Sequence, residues 1–180
     1  MNASITDTTL ATTPAVGHYR IDPVRTTVRF FTRHLFGLGA VSGTVRLREA
    51  DFTVTEPLSA MVHAVLDAAS FDTGIARRDS DVRSAKYLDV TAYPDITFSS
   101  QQVRLQQGRW VAVGTVTAHG VAAPVDLTLE ELRRDDEELI LRASAKIDRY
   151  AHQVTAGRGL AARWLTVEVT AIATRDSRDA

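Results

Sequence analysis

The 180-residue chain has no cysteine. That absence excludes disulfides, thiolate-based zinc sites, iron–sulfur clusters and thiol nucleophiles. No charge of one sign dominates: 21 basic and 22 acidic side chains leave a formal net charge of −1. A balance of that kind offers no basic footprint for nucleic acid. Aromatic residues make up only 7%. Phe30, Phe98, Trp110 and Trp164 occur singly, as core residues do, and form no stacking platform for bases. Long hydrophobic runs are missing too, and nothing approaches the roughly 20 apolar residues of a membrane-spanning helix. The N-terminal stretch MNASITDTTLATTPAVG has neither the basic region nor the apolar core of a secretory signal, so the expected location is cytoplasmic.

What the chain does contain is a moderate apolar share, 44%, enough for one sizeable core. Residues 1–16 are rich in Thr, Ala and Ser without periodicity and read as a disordered tail; 176–180 read as a C-terminal tail. Between them, 17–175 read as one domain. Alternation of apolar and polar residues marks strands over 27–34, 43–52, 60–69, 96–98, 103–105, 109–118, 124–132, 139–147 and 165–173. Turn chemistry separates them at Asp22-Pro23, Gln106-Gln107-Gly108, Ala118-His119-Gly120 and the charged tip Asp135-Asp136-Glu137-Glu138. An irregular stretch joins the last two strands between Asp148 and Arg163. No βαβ alternation occurs. The expected fold is all-β, a single antiparallel β-barrel of about eight short strands. The inward positions carry small or medium side chains such as Val45, Val62, Ala64, Ala112 and Val116, which leaves a barrel of that size room for one ligand.

One stretch departs from the pattern. From Ser70 to Ser100 the chain spends about thirty residues on a single crossing, far more than a hairpin needs. The region holds the best helical candidate, Arg77 to Leu88, which Pro94 would stop. Arg78, Asp79 and Arg83 read as an ion-pair and capping network that pins the insert to the barrel, with Arg83 relying on Asp79.

No catalytic or metal site is assigned. The five histidines, His18, His34, His63, His119 and His152, show no paired ligand spacing. There is no G-x-S-x-G elbow, and Gly37-x-Gly39 lies between strands, where it cannot open a helix. His34 stands apart because it follows the inward face Val28-Phe30-Thr32 at a strand end beside a glycine bend. There it would serve as a polar contact for a ligand headgroup.

Six pieces, in order, resemble the YceI-like family of polyisoprenoid-binding, lipocalin-like proteins. They are Tyr19-x-Ile21-Asp22-Pro23; Val28-x-Phe30-x-x-x-His34-Leu35; Ser70-x-x-Thr73; Arg78-Asp79-x-x-Val82-Arg83-Ser84-x-x-Tyr87-Leu88-Asp89; Tyr93-Pro94-x-Ile96-x-Phe98-x-Ser100; and Gly114-x-Val116-Thr117-x-x-Gly120-Val121-x-x-Pro124-Val125-x-Leu127. The resemblance covers about residues 18 to 174. It implies a lipocalin-like barrel with a short helix in the 70–95 insert and an elongated apolar pore. It also implies no cofactor beyond a bound lipid, a polyisoprenoid or quinone-like molecule, and binding without turnover.

Taking the inward parity at face value, the expected pore lining is Val28, Phe30, His34, Val45, Leu47, Val62, Ala64, Leu66, Ile96, Phe98, Val116, Leu127 and Leu141. The expected partner is a small lipophilic ligand, with no nucleic acid. The expected function is storage, transport or sequestration of a long-chain amphiphile: a polyisoprenoid, an isoprenoid quinone or a fatty-acid derivative. An exposed strand face would allow a homodimer. Two alternatives stand beside this reading: an enzyme acting on a lipophilic substrate around His34, and a side-chain-filled barrel that serves protein interaction.

Overall fold

The computed structural model describes residues 13–34, 39–56, 59–158 and 160–176; most of the two expected tails lies outside the described residues. Among the described residues nine strands and one short helix follow each other in the order β1 Gly17–Ile21, β2 Thr27–His34, β3 Gly39–Glu56, β4 Ser59–Asp72, α1 Ala76–Arg83, β5 Asp95–Gln106, β6 Arg109–Ala118, β7 Val121–Asp135, β8 Glu138–Asp148 and β9 Trp164–Arg175. All pairings are antiparallel, and the ring closes through β3 and β4. The described fold is therefore a closed barrel, as the sequence implies, and closure removes the free sheet edges that invite aggregation.

The ring has eight staves, one of which is shared. β1 and β2 lie end to end between β3 and β9, with Tyr19 opposite Phe52 and Arg175, and Phe30 opposite Gly43 and Val167. The break falls at Asp22-Pro23. There the Asp22 carboxylate accepts the backbone N–H groups of Val24 and Arg25 at 2.8 and 3.2 Å. An Asx turn of this kind satisfies the backbone where proline withdraws a donor.

The strands are longer than alternation alone predicts: β3 runs 18 residues and β7 15. Bulges account for the difference. Inward parity on β3 passes from Val45 and Leu47 to Ala50, Phe52 and Val54 across a shift between Leu47 and Glu49. On β5 it passes from Phe98 and Ser100 to Val103 across Ser100/Gln102, and on β7 from Leu127 and Leu129 to Leu132 across Leu129/Glu131. Each shift sits at an adjacent polar pair, Arg48-Glu49, Gln101-Gln102 or Glu130-Glu131. One extra residue swaps the faces of everything beyond it, so a single strand reads in sequence as two short ones.

The crossing also differs from its expected limits. β4 continues to Asp72 and β5 begins at Asp95, so it spans only 73–94. The helix ends at Arg83, well before Leu88 and Pro94. Ser84 stops it in an extended conformation, its hydroxyl bonding the Asp81 carbonyl at 2.6 Å, and the chain then turns through 85–93. A serine that bonds its own backbone competes with the helical ladder.

Connections gather at two ends. At one end are Glu56 and Ser59 and the hairpin tips after Gln106 and Asp135; at the other are the paired His34 and Gly39, the β6–β7 turn, the 73–94 crossing and the loop between β8 and β9. His119 and Gly120 both take positive φ, 52° and 71°, the geometry of a two-residue hairpin turn matched to strand twist.

Candidate functional site

The two ends differ in how they are covered. At the capped end, Tyr93 from the crossing lies edge-on to His119, with ring centroids 5.2 Å apart, and covers Gly120, where a Cβ would strike the tyrosine ring. In the 149–163 loop, Arg149 is only 7% exposed and donates to four carbonyls. These are Val154 and Ala156 at 2.6 and 2.8 Å, Ala161 at 3.0 Å and Ala162 at 2.8 Å. His152 Nδ1 lies 2.9 Å from the Val121 carbonyl oxygen and ties this loop to the β6–β7 turn. A buried guanidinium that meets carbonyls in so many directions organises the loop around itself.

The insert is anchored through Thr73. Asp79 is buried and accepts the Thr73 N–H at 2.9 Å and its hydroxyl at 2.6 Å, while Arg78 Nε donates to the same hydroxyl at 2.7 Å. Arg83 donates to the Phe71 carbonyl, and its buried Nε finds no hydrogen-bond partner. Arg78, Asp79 and Arg83 thus stand together, but their link is the threonine; Arg83 reaches Asp79 only as a nearby charge. Burial pushes the Asp79 carboxyl up, yet the Thr73 hydrogen bonds, with smaller help from Asp72 and Arg83, hold it below the usual carboxylate range.

Among the described residues the other end is open. It leads into a cavity of about 180 Å³ whose wall is almost entirely apolar. Ile21, Phe52, Val54, Ala60 and Val62 form one side; Val103, Trp110, Ala112, Leu127 and Leu129 form the next; Leu132, Leu141, Ala143, Val169 and Ala171 complete it. Thr13, Pro14, Glu56 and Ser59 stand with them, and Glu56 is the one titratable side chain among the described lining residues.

Of the residues expected to line a pore, Val62, Leu127 and Leu141 line this cavity. Phe98 and Val116 lie beneath it in a packed cluster with Ala112, Ala118, Val125 and Ala145, against which Ala64 and Ile96 also pack. Val28 and Phe30 are buried, and Phe30 stacks on Phe71 at 4.2 Å. Val45, Leu47 and Leu66 are half-buried on β3 and β4. The His34 backbone pairs with Gly39 in the β2–β3 hairpin, away from the open end; its side chain lies outside the described residues.

Among the lining residues outside the expected set, Phe52, Val54, Val103 and Leu132 lie beyond a bulge. The adjacent polar pairs are the signal that would have revealed them. Among the described residues no cluster of three or more His, Asp or Glu side chains could hold a metal ion.

Comparison with known proteins agrees with this architecture. Residues 19–173 match the family model of the YceI-like domain. Protein YceI of Shigella flexneri is 33% identical over 112 residues, which is 61% of this chain and 58% of that protein. A UPF0312 protein of Photorhabdus laumondii is 32% identical over 124 residues, 67% of this chain and 64% of that one. The chain therefore spans less than two thirds of the length of these relatives. Among solved structures, Burkholderia cenocepacia BcnA has a TM-score of 0.68 at 19% identity, covering 86% of this chain and 99% of that one. A polyisoprenoid-binding domain from Saccharophagus degradans, implicated in plant cell wall breakdown, has a TM-score of 0.63 at 14% identity, covering 90% and 100%. With the matched region running from the first strand to the last, the chain belongs to the YceI-like family.

Proposed function

We propose that this protein binds an amphiphilic lipid, a polyisoprenoid, an isoprenoid quinone or a fatty-acid derivative, and holds it for storage, transport or sequestration. The observation that carries the reading is the apolar cavity opening at one end of a barrel whose opposite end is capped. An apolar chain entering it leaves water at a gain of about 0.8 kcal/mol per methylene. Glu56 and Ser59 stand at the mouth, on the side from which the ligand's polar end points to solvent. The Saccharophagus degradans neighbour, a polyisoprenoid-binding domain, supports the ligand class.

Binding without turnover is favoured over an enzyme because the described wall presents a single titratable group, Glu56, and general acid–base chemistry needs a positioned proton donor or acceptor, usually a pair. A barrel filled by its own side chains would lack this cavity.

The test is organic extraction of the purified protein followed by mass spectrometry, together with titration by a prenyl alcohol. Recovery of lipid or saturable binding is expected. Failure of both would sink the reading.

A further inference from the structure

Below the cavity two aromatic rings lie where neighbouring strands have glycine. Phe98 pairs laterally with Val116, yet its ring leans one inward step toward the open end and lies across Gly114. A Cβ at Gly114 would sit 2.5 Å from Phe98 Cε2 and 2.6 Å from the Ser99 carbonyl oxygen. Phe30 lies in the same way over Gly43, where a Cβ would meet its ring and the Asp72 carbonyl, and it is backed by Phe71. Contacts this close leave no channel between ring and strand. Val62, Val103, Ala112 and Leu127 belong both to the cavity wall and to the packing around Phe98, so the cavity rests directly on this layer.

The remaining space is small. An apolar cavity of about 150 Å³ takes a benzene, and pockets for drug-sized ligands run from about 300 to 1,000 Å³. At about 180 Å³ the site takes a group of the order of one or two isoprene units. We propose that Phe98 and Phe30 act as a depth gauge: they stop an entering chain partway down the barrel, so the protein buries only the terminal segment of an isoprenoid or acyl chain. The remainder leaves through the mouth. This rests on the lipid-binding reading above. It makes the Phe98–Gly114 and Phe30–Gly43 contacts the determinants of specificity, and it makes the ligand's end, whatever the total chain length, the recognised feature.

Prenyl alcohols of one to four isoprene units, titrated below their aggregation concentrations, test the gauge. Trp110 in the wall supplies the fluorescence signal in a Trp164→Phe background. Affinity is expected to rise about fourfold per buried methylene and then level off at about two units. Phe98→Ala should move the plateau to longer chains, and Ala143→Leu, which fills the cavity from its side, should move it to shorter ones. If Phe98→Ala does not fold, the shift in Ala143→Leu decides alone. A continuous rise in wild-type affinity through four units would overturn the gauge while leaving lipid binding intact. Absence of binding by every chain, short ones included, would overturn lipid binding and the gauge together.

Discussion

The two halves of the barrel are built from the same strands and solve opposite problems. In the capped half, Phe98 over Gly114 and Phe30 over Gly43 fill the interior so closely that a methyl group has no place. In the open half, Leu129, Leu141 and Ala143 face a space that no described side chain fills. The difference is a matter of pairing size across the lumen. Where a ring meets a glycine on the next strand, the space closes, and where medium side chains meet one another it stays open. Binding capacity is thus concentrated at one end, although the open half keeps a packed cluster of its own around the stacked rings of Tyr19 and Phe52, 4.6 Å apart, and Val62, Val103, Ala112 and Leu127 serve both halves.

Substitutions can break this contrast. The largest effect is expected from Phe98→Ala, at about 3–5 kcal/mol of lost stability in urea unfolding, against no more than about 2 for Leu129→Ala, whose side chain already borders open space. Equal losses at the two positions would erase the distinction between the halves. Next comes a matched pair on β8. Ala145, packed in the capped half, should cost about 1–3 kcal/mol when changed to Leu, while Ala143→Leu, two residues along and facing the cavity, should stay within about 1 kcal/mol of wild type.

Asp79→Asn should weaken the anchor of the insert by about 1–2 kcal/mol at neutral pH, and it should change the acid response. Because the folded carboxyl is held low, its contribution is present above the unfolded value of about 3.9 and is lost as pH falls through the folded one. Unfolding midpoints followed from pH 5 downward should therefore drop further in wild type than in the variant. The smallest effect is expected from Arg109→Gln. Its pairing with Glu130 at 2.8 Å is exposed, and its loss should cost about 0–1 kcal/mol.

Much of this was legible from the residues. β2 at Thr27–His34, the tip at Asp135–Glu138 and the loop between Asp148 and Trp164 fall where alternation and turn chemistry put them. The bulges were harder, because period-two reading treats a phase slip as a strand end, and so Phe52, Val54 and Leu132 escaped the list of inward residues. The division of the lumen was not legible at all. Val62 lines the cavity while Ala64, two residues further along β4, packs beneath it, and nothing in either side chain tells them apart. Only the ring that Phe98 sends across Gly114 does, and that is a contact between strands. The role of Thr73 as the link among Arg78, Asp79 and Arg83 was hidden for a similar reason, since its weight comes from accepting and donating at one hydroxyl.

The shared stave has a consequence for the order of assembly. Of the described strands β9 is the last to be synthesised, and it must slide between β8 and the pair β1/β2, which are the first among them. Until residues 164–175 are available the ring is an open sheet, with β8 exposed along one margin and β2 along the other. A nascent or C-terminally clipped chain would therefore display two unpaired margins that the finished protein lacks. Val28 against Val169 and Phe30 against Val167 are the contacts that close the seam.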